Sequence, residues 1–245
     1  MTTQISKRNG TRTSPQADNS FKNKDVALQQ YIDTNGHFSL VRNFRLADLV
    51  TMMNGFCGSF SIFSSGRYLL TQDETYLWLA FAFPMVGLVF DFFDGKVARW
   101  RNSASMLGQE LDSFADLISF GIAPALLAFD VGLRTLMDTI ILTGFICCGL
   151  ARLARFNATV ALVPKDDSGK ARYFEGLPIP TTLMLVSVLC VWTRWGWIEG
   201  KGGLPGGVIR LWGDEGGSGE LHPVVLTFGC WAAAMVSKTL RVPKP

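Results

Sequence analysis

Polar residues fill the first 37 positions, where Thr, Asn, Gln, Ser, Asp and Lys follow one another without an apolar period, and strongly apolar stretches fill most of the rest. A segment of the first kind cannot bury enough apolar surface to offset the entropy of ordering it. Residues 1–37 therefore read as a largely disordered tail and 38–245 as one helical membrane domain. Six segments, 48–70, 76–98, 110–129, 135–156, 179–197 and 222–240, are drawn as membrane helices. The apolar runs inside them, at 76–90, 117–129, 139–150, 179–192 and 223–236, fall short of the ~20 residues needed to cross hydrocarbon, so polar helix ends must complete the crossing. The expected fold class is all-α, a polytopic membrane protein with six transmembrane helices; a soluble helical bundle is the alternative.

Composition and charge favour the membrane. Charged residues make up 18% of the 245, and the mean hydropathy of +0.24 is an average that the polar tail pulls down. The tail has neither an apolar h-region nor a small-residue cleavage site, so it is not a secretory signal peptide. With the tail in the cytosol, the bases of the tail, of 96–101, of 152–172 and of 238–244 all fall on that side, while the other keeps only Arg67, Arg134, Arg194, Lys201 and Arg210. Trp192, Trp195 and Trp197 cluster where the fifth segment would leave the bilayer on the far side, as an interfacial belt would. The glycine-rich stretch 199–221 reads as a flexible far-side loop and contains no GKS or GKT of a phosphate-binding loop. Cys57, Cys147, Cys148, Cys190 and Cys230 lie in or beside apolar runs without CxxC spacing and read as packing residues. His37 and His222 flank opposite ends of the apolar region, so any metal here should be hard and oxygen-ligated.

The informative polar stretch is 91–116, DFFDGKVARWRNSASMLGQELDSFAD. Asp91 and Asp94 are three positions apart and Asp112 and Asp116 four, so each pair shares a helical face one turn apart. A short link through Asn102 and Ser103 makes the two helices antiparallel neighbours, which lets four carboxylates converge. A single charged side chain at mid-membrane costs about 2.5–3.5 kcal/mol on lenient scales, so the set needs positive compensation. Salt bridges to Lys96, Arg99 and Arg101 would supply it, and so would two hard divalent cations, the arrangement that clamps phosphoryl transfer. Gly95, Ala98 and Gly108 favour the cations, because small residues on these faces let backbones and a bulky ligand come close.

The pattern D-x2-D-G-x2-A-R-x8-G-x3-D-x3-D resembles the signature of the CDP-alcohol phosphotransferases, with Asp91, Asp94, Gly95, Ala98, Arg99, Gly108, Asp112 and Asp116 at its eight fixed positions. The resemblance implies the six-helix CDP-alcohol phosphotransferase fold, usually a homodimer, and transfer of a phosphate-linked alcohol from a CDP donor to an acceptor hydroxyl with release of CMP. It implies that Asp91, Asp94 and Asp112 are ligands to two divalent cations, Mg or Mn, and that Asp116 is both ligand and catalytic general base. Gly95, Ala98, Arg99 and Gly108 would lie against the donor. The stretch 46–58, LADLVTMMNGFCG, resembles the family segment that closes over the cytidine, with Thr51, Asn54 and Gly55 as donor contacts; close helix packing is the equal alternative for Asn54 and Gly55.

Two further stretches, ARLARFNA at 151–158 and YFEGLPIPTT at 173–182, resemble the phosphatidylserine synthases, and LVRNFRLADLVTMMNGFCG resembles their fungal members. That implies CDP-diacylglycerol as donor, L-serine as acceptor, the endoplasmic reticulum as the membrane and an active site facing the cytosol. No nucleic-acid partner is expected. Arg155 is then placed at the donor phosphates and Arg152, Phe156, Asn157 and Glu175 around the serine, since planar guanidinium forks suit carboxylate and phosphate. Positive-inside anchoring is the plainer reading of both arginines. Pro178 and Pro180 would set the start of the fifth helix. Enzymes that use inositol or glycerol phosphate as acceptor share the same eight positions, and a cation transporter would also bury acids in its spans, although no paired halves of the transporter kind are visible.

Overall fold

The structure is a computed structural model and describes residues 46–100, 106–160, 173–213, 217–237 and 241–243. Positions 1–45 with His37, the link at Asn102 and Ser103, and the bases Arg101, Lys165, Lys170, Arg172, Lys238 and Lys244 lie outside the described residues, as do the side chains of Ala98, Arg99, Glu175 and Arg241.

Six helical rods carry the described chain. α1 (Leu46–Thr71) ends at Gln72, whose φ of 56° turns the backbone, and α2 (Glu74–Trp100) begins at once. Asp73 caps it by accepting the Thr75 N–H at 2.9 Å. A turn this short forces α1 and α2 into an antiparallel hairpin. The third rod is composite: α3 (Met106–Asp116), a π-helical turn (Leu117–Ile122) and α4 (Ala123–Val131). Pro124 explains the irregularity, because it has no N–H to return to the Phe120 carbonyl and its ring would collide with that carbonyl in a regular helix. α5 (Leu136–Val160) starts in a reciprocal cap, where Thr135 Oγ1 accepts the Asp138 N–H and Asp138 Oδ2 accepts the Thr135 N–H, both at 3.1 Å. After β1 (Tyr173–Glu175), Pro178 holds an extended ψ of 140° and feeds a 3-10 turn (Ile179–Thr182) that runs into α6 (Leu183–Arg194), so the prolines do set the start of the fifth rod. α7 (Val225–Val236) is the sixth.

The fold is mostly helical, as expected, and two small antiparallel ribbons accompany the helices. One pairs β1 with β4 (Arg241–Pro243); the other pairs β2 (Ile209–Arg210) with β3 (Glu220–Leu221). The second ribbon lies inside the stretch expected to be a flexible loop. Its glycines allow order here rather than preventing it: Gly219 packs against the Trp212 carbonyl so closely that a Cβ would overlap it.

Among the described residues, three rods are long and apolar enough to cross a membrane, at Glu74–Lys96, Leu107–Val131 and Leu136–Ala158, while Ile179–Arg194 and Val225–Val236 are apolar but shorter. α1 has the length, with 26 residues, but Asp48, Asn54, Ser61, Ser64 and Ser65 interrupt its apolar character on the buried side. The chain is thus an integral membrane protein with apolar helices. The third rod is the most buried of the three long ones and runs through the core, where Phe120 and Leu127 meet Phe145, Ile179, Leu189 and Phe228. Large apolar side chains such as Phe63, Leu70, Phe92 and Met184 are exposed, an arrangement suited to lipid rather than water.

Candidate functional site

The two acidic pairs meet where α2 ends and α3 runs into the π-helical turn. Asp91, Asp112 and Asp116 each bring a carboxylate oxygen within 4.8 Å of the others. Asp91 and Asp116 are in direct side-chain contact. Asp94 lies beside this group, and its charge acts on both Asp112 and Asp116. A spacing of three leaves Asp94 about 60° round the helix from Asp91. It faces α1, where its Oδ2 accepts the Thr51 hydroxyl at 2.8 Å.

α1 braces the acids from one side. Asn54 is fully buried and donates from Nδ2 to Asp116 Oδ1 at 3.2 Å, while its own carbonyl accepts the Ser119 hydroxyl at 2.9 Å. Small residues permit the approach: a Cβ on Gly58 would lie 2.8 Å from Ser119 Cα, and one on Gly87 would lie 2.8 Å from Asn54 Oδ1. Gly55 faces Ala115, at 3.5 Å from where its Cβ would be to the alanine Cβ. Gly58 and Gly87 thus let the rods pack closely around Asn54, which adds a bond to a carboxylate, while the space at Gly55 would admit a Cβ at ordinary contact distance.

α5 closes another side. Arg152 is buried, its Nε has no hydrogen-bond partner, and it lies within electrostatic reach of Asp116. Arg155 donates from Nη1 to the Val236 carbonyl at 3.1 Å, which ties α5 to the last turn of α7. Phe156 is partly exposed. Asn157 is fully engaged with α3: its Oδ1 accepts from Gln109 Nε2 and Ser113 Oγ, both at 3.2 Å, and its Nδ2 donates to Glu110 Oε2 at 3.2 Å and Ser113 Oγ at 3.0 Å. Gly95 follows Asp94 in α2, and Gly108 lies one turn before Asp112 in α3. Gly176 has a φ of 79° and packs against the Met235 carbonyl, where any side chain would overlap.

Salt bridging does not satisfy the acids among the described residues, since no ion pair there joins them to Lys or Arg. The Lys96 ammonium lies instead over the Phe92 ring, 4.2 Å from its centroid. Asp112 Oδ1 and Asn54 Oδ1 are buried with no hydrogen-bond partner. Carboxylates held in contact repel unless a cation or proton lies between them. The donors are carboxylate and amide oxygens, the set that hard divalent cations prefer. The residues present therefore fit such an ion.

Residues 44–213 match the CDP-alcohol phosphatidyltransferase family. The chain belongs to this family. Family membership thus takes in the α1 braces, all four aspartates and the α5 arginines in one continuous stretch. The chain is similar to the CDP-diacylglycerol–serine O-phosphatidyltransferase of Saccharomyces cerevisiae, with 49% identity over 219 residues that cover 89% of this chain and 77% of the relative. It is 38% identical over 143 residues to the protein of the same name from Bacillus subtilis, covering 58% of this chain and 72% of that one. It is 34% identical over 145 residues to the archaetidylserine synthase of Methanothermobacter thermautotrophicus, covering 58% and 56%.

Sequence reasoning passed over several residues of this site in a CDP-alcohol phosphatidyltransferase. Ser119 bonds Asn54, Gln109 and Ser113 hold Asn157, and Gly58 and Gly87 make room for the contact between α1, α2 and the third rod. One signal was available. Gly87, Asp91 and Asp94 follow one another at spacings of four and three, so a small residue and two acids lie along one helical stripe.

Proposed function

We propose that this protein is a phosphatidylserine synthase that transfers the phosphatidyl group of CDP-diacylglycerol to the hydroxyl of L-serine and releases CMP. The observation that carries the reading is the convergence of Asp91, Asp112 and Asp116 within 4.8 Å, among described residues that pair none of them with a base. The 49% identity to the yeast relative of that name supports the choice of donor and acceptor.

In this reaction the serine hydroxyl oxygen forms a bond to the phosphorus that carries the diacylglycerol, and the bond from that phosphorus to the oxygen of the departing CMP breaks. The hydroxyl proton passes to the carboxylate of Asp116, whose plane is fixed by the Asn54 amide on Oδ1. Two divalent cations, Mg or Mn, held by Asp91, Asp94, Asp112 and Asp116, would neutralise the diphosphate and the charge that develops on CMP. Thr51 orients Asp94 from α1. Gly55, Gly95, Ala98 and Gly108 leave room for the donor, and Arg99 and Arg155 bind its phosphates. Arg152, Phe156 and Glu175 line the serine site, and Asn157 supports it by holding Gln109 and Ser113 in place. Positioning and charge neutralisation are the main requirements of such a transfer, and this arrangement provides both.

The same reading takes 1–37 as a disordered cytosolic tail and 38–245 as a six-span catalytic domain. It places the protein in the endoplasmic reticulum as a homodimer with the aspartate end at the cytosolic face, which the bias of Lys and Arg toward that end supports. The test is CMP release by purified protein in nanodiscs containing CDP-diacylglycerol, with serine, inositol or glycerol 3-phosphate offered separately. Release with serine alone is expected. Release with another acceptor instead would reassign the substrate, and cation flux without CMP release under any acceptor would replace the enzyme reading by transport.

A further inference from the structure

We propose that Thr182 is a positioning residue for this reaction: its hydroxyl holds the π-helical turn that follows Asp116, and that turn sets the rotation at which Asp116 and Asp112 face Asp91. The proposal rests on the assignment of those aspartates to the reacting site.

The argument starts from Pro124. In a regular helix the N–H of residue 124 would reach the carbonyl of Phe120, four residues back, but proline has none to give. The preceding amide does not fill the gap, because the Ala123 N–H goes to Ile118, five residues back, in the wider π pattern. The Phe120 carbonyl instead accepts the Thr182 hydroxyl at 2.6 Å, from the 3-10 turn before α6. Both residues are completely buried, at 0% exposure. In a rod that crosses hydrocarbon no water can replace this bond, so the opened turn depends on a side chain from another part of the fold. Thr182 is itself fixed in place: its neighbour Thr181 donates its hydroxyl to the Pro178 carbonyl at 2.6 Å and accepts the Trp231 indole N–H at 3.2 Å.

The turn matters because of what lies on each side of it. A π turn inserts one residue relative to the α pattern and so rotates everything before it by about 100° relative to everything after it. After the turn, Ala125, Leu127, Ala128 and Val131 of α4 are buried in the core. Before it, Asp116 meets Asp91 and Asn54, and within it Ser119 bonds the Asn54 carbonyl. A regular helix could satisfy only one of these halves. With α4 anchored in the core, closing the turn would swing Asp112 and Asp116 away from Asp91.

Three variants of the full-length protein in nanodiscs test this: Thr182→Val, which keeps the shape and removes the donor; Thr182→Ser, which keeps the donor; and Pro124→Ala, which returns an amide to the Phe120 carbonyl. Each is measured for binding of Mn2+ alone by electron paramagnetic resonance, for melting temperature, and for kcat and both KM values. Thr182→Val is expected to lose about 10-fold or more in kcat and in Mn2+ affinity, with both KM values within about twofold, and Thr182→Ser to restore both. Pro124→Ala is expected to weaken Mn2+ binding while melting at or above the parental temperature, a pairing that general destabilisation would not produce. Parental Mn2+ affinity and kcat in Thr182→Val, whatever its melting temperature, would overturn the proposal. If that variant does not fold, parental Mn2+ affinity in Pro124→Ala overturns it instead. A parent that binds Mn2+ but releases no CMP with serine refutes the proposed reaction, and the Mn2+ measurements then still decide the role of Thr182.

Discussion

Asp138 is a fully buried acid and Asp112 a half-buried one in the same bundle, and the fold treats them in opposite ways. Asp138, at 0% exposure, accepts three hydrogen bonds: the Thr135 N–H at 3.1 Å, the His222 N–H at 3.0 Å and a contact with His222 Nδ1 at 2.6 Å. It sits in the first turn of α5, where the helix dipole also favours a negative charge, and it ties that turn to the start of α7. Asp112 has a buried oxygen without any hydrogen-bond partner and other acids as its neighbours. Burial therefore does not mark the functional acid. What marks it is that the fold brings carboxyls together and, among the described residues, joins none of them to Lys or Arg in an ion pair. Asp130, at the other end of the third rod, is also buried without a bonded oxygen, but it stands apart from other acids, and Arg134 bonds its backbone carbonyl at 2.9 Å.

The contrast can be broken by experiment. The largest effect should come from Asp116→Asn, which removes the proposed base: CMP release is expected to fall by about 10³-fold or more, with the helical circular dichroism unchanged. Comparable release from variant and parent would return Asp116 to a purely structural role. Asp138→Ala should do the reverse. It removes a cap and the partner of His222, so stability in a denaturant titration is expected to fall by about 2–4 kcal/mol while kcat stays near parental.

Metal removal sharpens the comparison further. Chelation by EDTA should abolish CMP release and lower the melting temperature of the parent, because an ion that binds only the folded state stabilises it. Asp112→Asn should melt higher than the parent without metal, since one of the mutually repelling charges is gone, and should lose the gain on adding Mn2+. A metal-independent melting temperature in the parent would refute the idea that cations compensate these acids. Thr51→Val, which frees Asp94, is expected to lower kcat by about 10-fold, as a misoriented charged group would.

The smallest effect belongs to Asp73. The Thr75 backbone N–H and hydroxyl hold its carboxyl below the ordinary carboxylate range. A carboxyl lowered in the folded state contributes stability above its unfolded pKa and loses it as pH falls through the folded value. Asp73→Asn should therefore melt slightly below the parent at neutral pH, with the gap closing in acid; a gap that widens in acid would contradict the capping role.

Much of this arrangement could be read from local pattern. Apolar runs placed the six rods within a few residues of where they lie, Pro178 marked the start of the fifth, and spacings of three and four put the acids on shared faces. Other features needed contacts that local pattern does not show. The stretch 199–221 was expected to be a flexible loop because glycine lowers local order, yet pairing of Ile209 with Leu221, across the intervening residues of the same stretch, orders part of it. Spacing likewise gave no sign that the Asn157 amide would be held by Gln109, Glu110 and Ser113 on another rod.

Sequence alone determined that helices form and that acids sit one turn apart, because both follow from backbone geometry within a few residues. Only the tertiary structure decided that the α2 acids meet Asp112 and Asp116 with Asp94 turned toward Thr51, that Asn54 braces the cluster, and that Thr182 supplies the donor Pro124 lacks. Spacing along a helix fixes an angle about its own axis. Distances between helices depend also on how far each is rotated and shifted against its neighbours, and here contacts such as Gly58 against Ser119 and the opened turn after Asp116 set those quantities.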